Sequence, residues 1–209
     1  MHKIIELYLK GELDKKDLAS YYLENFRKEV KGYAPSRDIF KTYFEQGLNY
    51  LLHIDRFPYQ LPLCVEEQLD FNIEDKKFTG IIDCIAKDDG LIIVDNKSRT
   101  LKPRSKRNKP TKSDEELDAY LRQLYLYSIP VKSTFHTYPA RLEFNCFRTG
   151  ELISEPFSEE KFEEAKQWAL KMIDTITDNE DWSPKMDYWK CRYICDFSDS
   201  CEYFQMNRK

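Results

Sequence analysis

Two aspartates each close an apolar run: Asp83 in Gly80-Ile81-Ile82-Asp83, and Asp95 in Leu91-Ile92-Ile93-Val94-Asp95. Lys97 follows Asp95 at a spacing of two, and the strand period points it to the same side. Two carboxylates on rigid neighbouring strands are what a hard divalent cation such as Mg2+ or Mn2+ requires, with water and phosphate oxygens completing its shell. An ammonium beside that cation can orient an attacking water and neutralise charge developing on a phosphate. Together these are the parts for hydrolysing a phosphodiester. The plain alternative is that these are ordinary solvated residues at strand ends. Against it, Asp95 directly ends a buried-type strand, where a charge without a partner is costly.

Holding the two aspartates opposite each other takes two antiparallel neighbours. Phe78 to Ala86 and Leu91 to Asp95 are β-rich and are joined by a polar turn from Lys87 to Gly90. The unbroken apolar Leu91–Val94 run predicts a strand covered on both faces. A further strand, Leu63 to Ile73, precedes them, with Val65, Glu67, Leu69 and Phe71 alternating onto one face. The chain before it reads as helical: His2 to Lys10, a break at Gly11, then Leu13 to Val30 with Leu18, Tyr21, Tyr22 and Phe26 on one side. A turn at Gly32 to Pro35 leads to a helix from Arg37 to Ile54, with Ser36 as its N-cap. Downstream, a basic loop from Lys102 to Lys112 precedes a helix from Ser113 to Tyr127, for which Ser113 and Glu116 form a capping box. Strands at Arg141–Phe147 and Leu152–Pro156 flank a turn at Thr149-Gly150, and Ser158 starts a long helix to Thr177. The order predicts an α/β fold with a mixed central sheet. We expect one domain over 1–209: a helical part over 1–60, a catalytic sheet core over 61–157, and a C-terminal helix with a cysteine cluster over 158–209.

Composition narrows the class. With 209 residues, 41% hydrophobic and 33% charged, the chain can bury a substantial core, and 6 glycines exclude a Gly-rich or fibrous architecture. No apolar run reaches the ~20 residues of a membrane helix, so a cytoplasmic location is expected. A net charge of -4 excludes a polycation that coats DNA passively, but not an enzyme with a local basic strip. Cys64, Cys84 and Cys146 sit singly in strand-like stretches and read as core residues. Cys191, Cys195 and Cys201 crowd together near the C-terminal end, a pattern open to metal ligation.

The sequence G-I-I-D, then I-I-V-D-N-K-S, then L-R-Q-L-Y-L-Y resembles the motif series of RecB-type PD-(D/E)XK nucleases. That family shows G-x-x-D, an apolar strand ending in D-x-K-[S/T], and Q-x-x-x-Y on the next helix. The resemblance implies a restriction-endonuclease-like core and makes Asp83 and Asp95 metal ligands, with the backbone carbonyl of Asn96 as a further one. It makes Lys97 the catalytic lysine, and Gln123 and Tyr127 residues that bind DNA or order the site. At i and i+4 these last two share a helix face; alone they read equally as a surface amide and a packed aromatic. His2, in Met1-His2-Lys3-Ile4-Ile5-Glu6, resembles the family's N-terminal metal-binding histidine. Glu66 resembles the acidic residue on the strand before G-x-x-D, although alternation admits only one of Glu66 and Glu67. His53 and His136 read as structural.

The spacing Cys191-x3-Cys195-x5-Cys201 resembles the end of iron–sulfur members of this branch, implying a 4Fe–4S cluster. Its fourth, early cysteine is not in its expected place. Either the chain lacks an N-terminal piece, which is the expectation, or the site has decayed, or Cys64 substitutes. Lys102, Arg104, Lys106, Arg107, Lys109 and Lys112 read either as a solvated loop or as a phosphate-tracking strip beside the site. The expected activity is that of a Mg2+- or Mn2+-dependent deoxyribonuclease. By family analogy it acts as an exonuclease on DNA ends in recombination or repair, with a helicase or recombination protein as partner and no membrane. The rivals are a domain that binds DNA without cutting it and a metal-stapled interaction module.

Overall fold

The computed structural model describes residues 1–30, 37–54, 62–180, 183–193 and 195–206. Five strands form one sheet in sequence order: β1 (Pro62–Ile73), β2 (Lys76–Lys87), β3 (Leu91–Lys97), β4 (Arg141–Cys146) and β5 (Glu151–Pro156). All neighbours run antiparallel except β3 and β4, which are parallel. A parallel pair needs a long crossover, and α4 (Lys112–Phe135) supplies it. The helices α1 (His2–Leu9), α2 (Leu18–Glu29) and α3 (Arg37–Leu52) precede the sheet, and α5 (Glu159–Asp178) follows it. The mixed sheet flanked by helices is the α/β, restriction-endonuclease-like core expected.

Each face of the sheet has its own core. Ile93, Phe144, Leu117, Leu121, Leu124 and Phe162 belong to one. Ile4, Ile5, Leu18, Tyr22, Cys84 and Val94 belong to the other, under α1 to α3. Alternate β3 residues enter opposite cores, so the strand is buried from Leu91 to Asn96, as its unbroken apolar run demands. Leu18 and Tyr22 are buried, with Tyr21 and Phe26 packed beside them, so that helix face is as read. Residues 1–170 form one compact unit and 171–209 a second. No helix among the described residues is long and apolar enough to cross a membrane. The Gly32–Pro35 turn and Ser36 lie outside the described residues.

Several local expectations are corrected. The capping box of α4 is Thr111 with Asp114, not Ser113 with Glu116. Asp114 wins because its carboxylate accepts four hydrogen bonds, from the backbone and side chain of Ser105 and of Thr111, all at 2.7–2.8 Å. Those donors hold its carboxyl well below the usual range and tie the start of the basic loop to the helix. α4 also continues past Tyr127 to Phe135, through Pro130. Burial of Ser128, Pro130 and Val131 outweighs the lost backbone donor, and the helix ends at His136 in the left-handed region, φ 59°. The segment read as one helix from Leu13 opens instead with a 3-10 turn at Lys15–Asp17. Two short helices, α6 (Tyr188–Tyr193) and α7 (Glu202–Met206), occupy the tail read as loop.

The alternation expected of β1 also fails at one point. The ladder pairs Val65 with Cys84 and then Glu67 with Ile82, leaving Glu66 and Asp83 as unpaired opposites. Glu66 has φ 52°, a left-handed conformation costly for a non-glycine residue. The pattern inverts there: Cys64 and Leu69 pack toward the same core although five residues apart, as do Ile82 and Ile85 three apart.

Candidate active site

That inversion lies where the two strands carry their acids. On β2, Asp83 is one step beyond the pair Cys84↔Val94, which sets it against Asp95 across the strands. The Asn96 N–H donates to Asp83 Oδ2 at 2.7 Å, locking the carboxylate to β3. His2, from α1, brings Nδ1 to 3.9 Å of the same oxygen and rests edge-on against Phe147, ring centroids 5.3 Å apart. Burial pushes the His2 pKa down, against the pull of Asp83. Glu66 is half-buried while Glu67 is exposed. In the ladder Glu66 lies opposite Asp83, and burial and the Asp83 charge both push its carboxyl up.

Asp95 is 5% exposed. The Lys97 Nζ lies 2.7 Å from its Oδ2 as an ion pair. The contact is close but not aligned as a hydrogen bond, so that buried oxygen has no hydrogen-bond partner among the described residues. Burial raises the Asp95 pKa to about 6; Lys97 opposes the shift and Asp83 adds to it.

The lysine is held from the α4 side. Its Nζ donates to Gln123 Oε1 at 3.4 Å and lies 5.4 Å and 5.7 Å from the Tyr120 and Phe144 ring centres. Gln123 Nε2 donates in turn to Tyr127 Oη at 2.7 Å. Asp95, Lys97, Gln123 and Tyr127 thus form a connected polar line between β3 and α4. Tyr127 is set by Gly80: a Cβ there would lie 2.4 Å from the Tyr127 ring. This is a physical reason for glycine three residues before Asp83. Gly80→Ala is expected to cost about 1–3 kcal/mol through overpacking, read as a lower urea midpoint at unchanged m. An unchanged midpoint would mean that the ring moves aside freely.

Three neighbours were missed in the sequence. The Asn96 side chain points to the opposite sheet face, where its Oδ1 accepts from Asn145 Nδ2 at 2.8 Å; Asn145 also donates to Tyr50 Oη at 2.7 Å. Only the Asn96 backbone therefore reaches the acidic side. Asn145 and Tyr50 left no signal, being distant in sequence. Tyr120, one helical turn before Gln123, could have been found from its spacing.

The structure does not gather the remaining candidates at the acids. Arg104 is committed to the protein itself, with Nε 2.8 Å from Glu155 and an Nη 2.7 Å from Asp118, so it clamps the loop instead of facing free phosphate. Lys102, Lys106 and Arg107 are exposed. Cys64 packs against a core, while Cys191, Cys195 and Cys201 are free thiols, Cys195 exposed. No group of three or more His, Cys, Asp or Glu among the described residues is arranged to hold a metal ion.

The acids do fit a divalent cation of the Mg2+ type. Such ions take one or two carboxylates and complete their shell with water and substrate oxygens, without an all-protein cage. Asp83 and Asp95 supply the two carboxylates, and the buried Asp95 Oδ2 carries no aligned hydrogen bond.

A mixed sheet that sets two carboxylates and a lysine at one end of adjacent strands has the parts that metal-assisted phosphodiester hydrolysis requires. A family model of the PD-(D/E)XK nuclease superfamily matches residues 1–202, and the chain belongs to that superfamily. Membership points to a metal-dependent nuclease. A comparison with curated proteins returned no match. Among solved structures, the crystal structure of SSO0001 is similar at 22% identity over 96% of this chain and 84% of its own, with a TM-score of 0.34. That overlap carries no further argument.

Proposed function

We propose that this protein is a Mg2+- or Mn2+-dependent deoxyribonuclease that degrades DNA from its ends in recombination or repair. The observation that carries the reading is the buried Asp95 carboxylate, opposite Asp83 and in contact with Lys97, with one oxygen lacking an aligned donor. A divalent cation held by Asp83, Asp95 and the Asn96 carbonyl would supply Lewis acidity to the phosphate and acidity to the attacking water.

The chain's own groups do the rest. Lys97 offers an ammonium beside the carboxylates, where it can hold the attacking water and balance charge gathering on the phosphate oxygens. Gln123, itself hydrogen-bonded to Tyr127, helps hold it beside Asp95. Glu66 and His2 border the acidic pair and complete its polar wall.

Action on DNA ends, a helicase or recombination protein as partner and a cytoplasmic setting rest on the RecB-like motif series. The discriminating assay compares end-labelled linear DNA with a covalently closed single-stranded circle in Mn2+. An exonuclease degrades the linear substrate and leaves the circle intact. Cutting of the circle would replace this reading with an endonuclease, and an intact linear substrate would remove the nuclease assignment.

A further inference from the structure

We propose that Arg148 is a receptor for a substrate phosphate neighbouring the scissile one, and that the groove it lines carries a DNA strand into the site. The inference rests on the nuclease reading and adds a binding residue that the motifs do not name.

Four observations carry it. First, Arg148 is held rigidly by uncharged groups. Its Nε donates to Gln46 Oε1 at 2.8 Å, an Nη donates to the Ser98 carbonyl at 3.3 Å, and the guanidinium lies 3.9 Å from the Tyr43 ring centre. Second, it has no carboxylate partner among the described residues. Arg99 has one, in Glu116, while Arg104 and Arg141 have two each, Asp118 with Glu155 and Asp88 with Glu143 respectively. A preorganised guanidinium with its charge unmatched is suited to bind a phosphate, which it can meet with two parallel N–H donors.

Third, the groove lies beside the acids. It encloses about 430 Å³, and His2, Tyr43, Ser98, Arg99, Phe147 and Arg148 are among its lining residues. His2 lies 3.9 Å from Asp83 Oδ2, and Ser98 directly follows the lysine. Fourth, the lining is basic and aromatic and includes no acidic side chain. Tyr43 is 48% exposed, so much of its ring stays open beside the guanidinium. Cation plus open aromatic face is the pairing that tracks a nucleic-acid strand, the charge meeting phosphate and the ring meeting a base.

The test measures binding of a fluorescent single-stranded oligonucleotide in EDTA and its steady-state cleavage in Mn2+. Two variants with opposite structural consequences are compared. Arg148→Gln removes the charge; Gln46→Glu keeps the guanidinium but neutralises it with an adjacent carboxylate, and should melt at or above the wild-type temperature. Both are expected to weaken binding about tenfold or more. Both should also lower the log–log salt slope by about 0.7, the value for one phosphate of a single strand. KM should rise while kcat stays within about twofold, because the contact is made equally in ground and transition states.

Wild-type cleavage with affinity and slope unchanged in both variants would overturn the inference and leave the nuclease intact. Loss in Arg148→Gln alone would mark a folding effect and also overturn it. A wild type that neither binds nor cleaves would instead remove the nuclease reading on which the inference stands.

Discussion

Asp95→Asn is expected to abolish both cleavage and stabilisation by Mn2+ while leaving the sheet intact. The amide has nearly the shape of the carboxylate, and Asp95 sits at the end of a strand buried on both faces, so packing changes little. What goes is the charge. Without it Asp83 is left as the single carboxylate of the pair, and a hard cation loses one of its two carboxylate ligands. Losing several kcal/mol of transition-state stabilisation corresponds to a rate loss of about 10³-fold or more. The second readout does not depend on activity. At roughly tenfold above its dissociation constant, a cation that binds only the folded state stabilises it by about 1.4 kcal/mol. For a chain of this size that raises the melting temperature by about 3–6 °C. The wild type should show the shift and Asp95→Asn should not. Equal shifts in both proteins would place the cation elsewhere and sink the ligand assignment.

The parts of this site legible in the sequence are those written in local pattern. Leu91 to Val94 announce a strand covered on both faces, and Lys97 two positions beyond Asp95 shares its side because a strand repeats every two residues; the 2.7 Å ion pair is that period made visible. Gln123 and Tyr127 were legible through helical spacing and do share a hydrogen bond. What escaped depends on contacts between distant segments. Nothing in Val65-Glu66-Glu67 signals a left-handed glutamate; glycine or asparagine would have, but here the surrounding ladder imposes the conformation. The inversion it causes is also why alternation counted through β1 misassigned the faces. Arg104 read as one of a basic series, yet its partners lie 14 and 51 positions away. The role of Gly80 became apparent only with the Tyr127 ring against it. The Thr111 cap was missed because Ser113 offers the same chemistry, and only the Ser105 donors on Asp114 decide between them.

Lys97→Ala is expected to separate chemistry from cation binding. Cleavage should fall by about 10²- to 10³-fold, the usual cost of removing one preorganised donor from developing negative charge. Cation binding should survive and strengthen, because the ammonium now 2.7 Å from Asp95 Oδ2 competes electrostatically with any cation at that oxygen. The metal-free protein should lose stability, since truncating one member of a largely buried pair strands the other charge; such losses run to about 3–5 kcal/mol. Mn2+ then restores more than it adds to the wild type, so the metal-induced rise in melting temperature should exceed the wild-type shift. Lys97→Arg should not rescue cleavage, because a planar guanidinium cannot occupy the compact position between Asp95, Gln123 and the Tyr120 ring. Together with Asp95→Asn the pair of variants makes opposite forecasts for Mn2+ stabilisation and the same forecast for cleavage. Full cleavage by Lys97→Ala would remove the lysine from the mechanism. Loss of Mn2+ stabilisation alongside cleavage would instead make Lys97 a residue that shapes the cation site rather than one that acts on the phosphate.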